Sequence, residues 1–125
     1  MNLDKVIAGF FIILAMTLNF GFFYGDPLDI AMHSKYELFA AIVVNIIATV
    51  LKLGDKTQMG SVLIATSLVA DLQLIAAATI WTIFGIDGVI THDTSGLIIS
   101  LSGGALLANI TSVILYIGDT LKSKR

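Results

Sequence analysis

Four long apolar stretches separated by short polar connections organise the chain: Lys5 to Tyr24, Tyr36 to Leu53, Met59 to Phe84 and Leu97 to Gly118. Each is close to the roughly 20 residues that an α-helix needs to cross about 30 Å of hydrocarbon. The expected fold is therefore an all-α integral membrane protein, a single domain of four transmembrane helices over about 5–24, 36–53, 59–84 and 97–118. Aromatic residues mark the expected interfaces: Phe20, Phe22, Phe23 and Tyr24 after the first run, Tyr36 before the second, Trp81 and Phe84 at the end of the third. The first run is too long for the apolar part of a signal peptide, and no small-x-small cleavage site follows it, so it is expected to stay as a helix.

Composition agrees with that pattern. Apolar residues make up 57% of the chain and charged ones 13%, with one Pro and a mean hydropathy of +0.95, far from an ordinary soluble domain. The chain has no cysteine, which removes disulfides, thiolate metal sites and cysteine nucleophiles from consideration. No phosphate-binding loop, His-Glu-x-x-His pair or Gly-x-Ser-x-Gly elbow is present, and nothing suggests nucleic-acid binding, so neither an enzyme nor a cofactor is expected.

Charge placement orients the bundle. Lys5, Lys52, Lys56, Lys122, Lys124 and Arg125 fall on one side and only Lys35 on the other, which predicts both termini in the cytoplasm of a bacterial-type inner membrane. The bias argues against dual topology. It also argues against a three-span variant with a re-entrant second run, which would put the tail outside. Lys52, Lys56 and the tail are expected to reach lipid phosphates.

Laid on itself at an offset of 64, the chain matches Phe20-Gly21 with Phe84-Gly85, Asp29 with Asp93, Ala41 with Ala105, Asn45-Ile46 with Asn109-Ile110, Leu51 with Leu115, and Gly54-Asp55 with Gly118-Asp119. The expectation is a duplicated helical hairpin whose copies share one topology, although helix-end grammar alone would give some of these matches.

Asp71 is the one ionisable residue placed deep in hydrocarbon by this reading, where a charge costs about 2.5–3.5 kcal/mol on insertion scales. Asn45 and Asn109 lie at a similar depth, so the three are candidates to meet. Each shares a face with small or hydroxyl residues such as Thr49, Ser67, Ser102 and Ser112. Gln73, about 200° round the helix from Asp71, points to a second subunit or another membrane protein as partner. Ser102, Gly103 and Gly104 offer either close helix packing or a break in the fourth helix that turns carbonyls toward an ion. Asn19 is expected only to pack.

The outer connections carry Asp26, Asp29, Glu37, Asp87 and Asp93, an acidic mouth that would concentrate cations. His33 lies four residues from Asp29, and His92 lies beside Asp93. These are weak candidate metal ligands, with a pH-responsive surface histidine or a helix cap as the plainer reading. Together these features point to cation transport, by a channel or proton-coupled carrier within an oligomeric bundle. Two alternatives compete: an accessory subunit of a larger transporter, and a sensor using His33 and His92.

Overall fold

The computed structural model describes residues 3–54 and 57–123, so Asp55, Lys56, Lys124 and Arg125 lie outside the described residues. Four α-helices follow one another: α1 (Leu3–Phe23), α2 (Lys35–Lys52), α3 (Gln58–Phe84) and α4 (His92–Ser123), with a short 3₁₀ turn at Ile30–Met32 between α1 and α2. The first three helices lie within two residues of the expected spans at either end. The fourth is longer at both ends, running past Gly118 to Ser123, and Thr91 starts it early: its hydroxyl accepts a hydrogen bond from Thr94 N at 3.2 Å, and His92 and Asp93 become part of the first turn.

Local chemistry fixes the helix starts. Ser34 accepts from Glu37 N at 3.3 Å to begin α2, and Thr57 accepts from Gly60 N at 3.0 Å to begin α3. The two sharpest turns use glycine where the backbone needs positive φ, at Gly25 (φ 119°) and Gly88 (φ 81°).

Each helix packs mainly on two neighbours, in the cyclic order α1, α2, α3, α4, with the α3–α4 contact the most extensive. One end of the bundle carries the Pro27 and Gly88 connections and is called the Pro27 end. The other carries the Gly54 connection, the start of α1 and the end of α4, and is called the Gly54 end. The distribution of residue types is inverted relative to a soluble bundle. Phe10, Phe39, Leu72, Leu107 and Ile114 are more than half exposed, while Asn19, Asn45, Ser67, Asp71, Ser102, Asn109 and Ser112 are buried. A surface so apolar around a polar interior is what lipid requires.

Helices α1, α3 and α4 are each long and apolar enough to cross a membrane, which makes this a membrane-associated protein. Helix α2 is shorter, at 18 residues, and carries Lys35, Glu37 and Lys52.

Candidate functional site

The structure corrects the sequence reading first at Lys52. Instead of reaching lipid phosphates, its side chain turns into the bundle and is only 6% exposed. Its Nζ donates to Ser67 Oγ of α3 and to Ser112 Oγ of α4, the latter at 2.8 Å. Helix direction explains the turn. Cα–Cβ bonds tilt toward a helix N-terminus, and α2 begins at the Pro27 end, so a lysine on its last turn leans toward the middle of the bundle rather than toward water. The sequence held a signal for this: Ala41, Asn45, Ala48 and Lys52 share one face at spacings of four, three and four, and all are buried.

Asp71 lies farther in, 9% exposed, and its carboxylate and the Lys52 ammonium are near enough for each charge to act on the other. Asp71 Oδ2 lies 2.6 Å from Thr49 Oγ1, while Oδ1 is buried without a hydrogen bond. The Thr49 hydroxyl has two acceptors within reach, Asp71 Oδ2 and the Asn45 carbonyl at 2.9 Å, but only one proton to give. With Asp71 ionised, Thr49 donates to the carboxylate. With Asp71 protonated, the acid can donate to Thr49, whose own hydroxyl then donates to the Asn45 carbonyl. Thr49 and Asp71 therefore stay hydrogen-bonded to each other in both protonation states.

A cavity of about 330 Å³ opens from this seam at the Gly54 end, lined among others by Asp4, Lys5, Lys52, Gly60, Tyr116 and Asp119. Tyr116 closes one wall by donating to the Lys5 carbonyl at 2.5 Å. Toward the Pro27 end the interior is sealed by apolar packing of Phe22, Leu38, Leu74, Ala77, Ile98 and Ile99. Lys52 lines this cavity, and Asp71 lies behind it, away from the cavity wall.

The other intramembrane candidates separate from Asp71. Asn109 Nδ2 donates to Asn19 Oδ1 at 3.2 Å, and Asn19 Nδ2 donates to the Ser102 carbonyl at 2.9 Å, forming a separate α1–α4 bridge. Asn45 Nδ2 returns to its own helix at the Ala41 carbonyl, 2.7 Å away. Asn45, Asp71 and Asn109 are therefore all buried but share no hydrogen bond, and Asn19 is a member of a polar bridge.

Helix α4 runs unbroken through Ser102, Gly103 and Gly104, so no carbonyls are freed there for an ion. The two glycines allow close approach instead. A Cβ on Gly103 would lie 2.9 Å from the Phe23 ring, and one on Gly104 would lie 2.6 Å from Gln73 Oε1. Gln73 thus packs against α4 of its own chain, where its Oε1 is buried without a hydrogen bond. A helix with neighbours on two sides has two inward faces, which is why 200° of separation did not send Gln73 outward.

At the Pro27 end, turns and helix starts occupy the acids. Asp26 Oδ1 accepts from Leu28 N at 2.9 Å, Asp29 Oδ1 from Ala31 N at 3.1 Å, and Asp87 Oδ1 from Val89 N at 3.1 Å. Glu37 lies against Gly21, and Asp93 sits in the first turn of α4. His33 is buried with both ring nitrogens on carbonyl oxygens, Nδ1 at 2.6 Å from Phe22 O and Nε2 at 2.8 Å from Asp26 O. Its nitrogens tie α1 to α2 and do not turn toward Asp29. His92 is exposed on α4, and no group of three potential metal ligands occurs among the described residues.

A family model described as a family of unknown function, DUF6394, matches residues 32–120. The chain belongs to that family. The DUF6394 match begins just before His33 and ends after Asp119, so it contains the whole Lys52, Thr49, Ser67, Asp71 and Ser112 seam and leaves α1 outside. Neither a curated protein nor a solved structure matches the chain.

Proposed function

We propose that this DUF6394 protein is a four-span protein of a bacterial-type inner membrane, with both termini cytoplasmic, that carries a cation coupled to proton binding at Asp71. The observation that carries this reading is the Thr49 hydroxyl, placed to donate to Asp71 when the carboxyl is ionised and to accept from it when it is protonated. Lys52 acts as the resident countercharge. An incoming cation or proton that neutralises Asp71 competes with it, while Ser67 and Ser112 keep the ammonium hydrogen-bonded.

The lysine and arginine bias supports placing the Gly54 end, with its cavity, in the cytoplasm. The span count rests on α2 crossing alongside its neighbours, since 18 residues rise about 27 Å. Duplication of a two-helix hairpin finds support in shared burial of Ala41 with Ala105 and Asn45 with Asn109, and shared exposure of Ile46 and Ile110. The apolar seal at the Pro27 end favours a carrier that alternates over a channel. The same seal favours one other reading, an accessory subunit within a larger transport complex, because a bundle closed at one end has no through-path of its own.

Flux of H⁺, Na⁺, K⁺ and Ca²⁺ into liposomes holding the purified protein tests the proposal. Asp71→Asn and Thr49→Val should abolish flux and Thr49→Ser should preserve it. Folded protein without flux of any of these ions would overturn the carrier reading in favour of the accessory subunit.

A further inference from the structure

We propose that a cleft between α2 and α3 at the Pro27 end is a binding site for one anionic phospholipid, its acyl chain in the cleft and its phosphate on Lys35. Two adjoining cavities of about 380 and 400 Å³ share Phe39, Ile42, Ala78 and Thr82, so they form one continuous groove. Thr49, Asp71, Lys52 and Ser67 tie the two helices together at the other end, and here the small Ala78 side chain leaves the floor of the groove open.

The lining suits a hydrocarbon chain. Phe39 is 67% exposed on the rim, and the Thr82 hydroxyl is turned back on the Ala78 carbonyl at 2.8 Å, so it presents no idle donor. Lys35 and Trp81 line the mouth of the groove. Lys35 is the only lysine or arginine between Lys5 and Lys52, at an end otherwise supplied with Asp26, Asp29, Glu37, Asp87 and Asp93. A lone cation over an apolar groove matches the order of charge and hydrocarbon in an anionic lipid, and the acids around it disfavour a second such lipid nearby. This inference stands whether or not Asp71 takes part in transport.

Trp81 is the only tryptophan of the chain and lies in the groove, so its fluorescence reports the occupant directly. The full-length protein would be reconstituted with phosphatidylglycerol or phosphatidylcholine brominated on the acyl chains. Preferential quenching by the anionic lipid is expected, by about fivefold in apparent affinity, the contribution of one basic side chain near a lipid surface. Lys35→Gln should erase that preference while leaving quenching by phosphatidylcholine unchanged. Ala78→Phe, which fills the groove, should reduce quenching by both lipids. Equal quenching by the two lipids in the unaltered protein, or a preference that survives Lys35→Gln, would overturn the proposal.

Discussion

Removing the Lys52 ammonium gives the sharpest test of the buried seam. Lys52→Met keeps the length and apolar stem of the side chain, and deletes the donor to Ser67 and Ser112. The two serine hydroxyls have other acceptors, since a serine in a helix can donate to the carbonyl four residues earlier, so their loss is small. The main effect falls on Asp71, which becomes a buried charge with one hydroxyl partner and no countercharge. Groups coupled within one buried network interact by about 0.5–3 kcal/mol, and the loss is expected in that range. Asp71→Asn leaves the Lys52 ammonium without that countercharge but still on Ser67 and Ser112, and should cost less.

The double variant removes both charges, so the two losses should fall short of additivity by about 1–3 kcal/mol. That lies above the roughly 0.6 kcal/mol typical of neutral polar contacts between membrane helices, and so separates a charge pair from ordinary helix bridging. The assay is reversible unfolding in mixed micelles across a sodium dodecyl sulfate titration, on the four proteins of the cycle. Additivity within about 0.5 kcal/mol would mean that the two groups ignore each other and would refute the seam.

Three further outcomes follow from the packing. Gly104→Ala should destabilise by about 1–3 kcal/mol in the same unfolding assay, because its Cβ meets Gln73 Oε1, which is buried against α4, and Gln73→Ala should relieve most of that loss. Gly21→Ala, although closer on paper, should be nearly neutral, since the half-buried Glu37 carboxylate it meets can swing toward water. Asn19→Leu should cost about 1–2 kcal/mol through loss of the Asn109 and Ser102 contacts, and a smaller loss in Asn109→Leu, with little further loss in the double variant, would identify one shared bridge.

Hydropathy made much of this architecture legible. Runs of apolar residues gave the helix bounds within two residues except at α4, where one threonine hydroxyl decided the start. The buried faces of α2 and α4 were legible in the spacing of Ala41, Asn45, Ala105 and Asn109. Lys52 was misplaced because depth was read from the position of Cα along the chain, whereas a lysine reaches a turn or more in the direction that its helix tilts it. Asn19 was misjudged for a related reason: its partners, Ser102 and Asn109, belong to a helix more than eighty residues away, and no local pattern records which side chain stands opposite. His33 looked like a surface group because carbonyl acceptors, unlike side-chain partners, leave no mark in the sequence.

The burial of Lys52 also depends on how much of the chain is present. Its two hydroxyl partners come 15 and 60 residues later in the chain. Ser67 belongs to α3 and Ser112 to α4, so the ammonium holds both bonds only when three helices stand together. A chain stopped before Ser112 lacks one of the two acceptors, and the inward position of Lys52 is then only half secured.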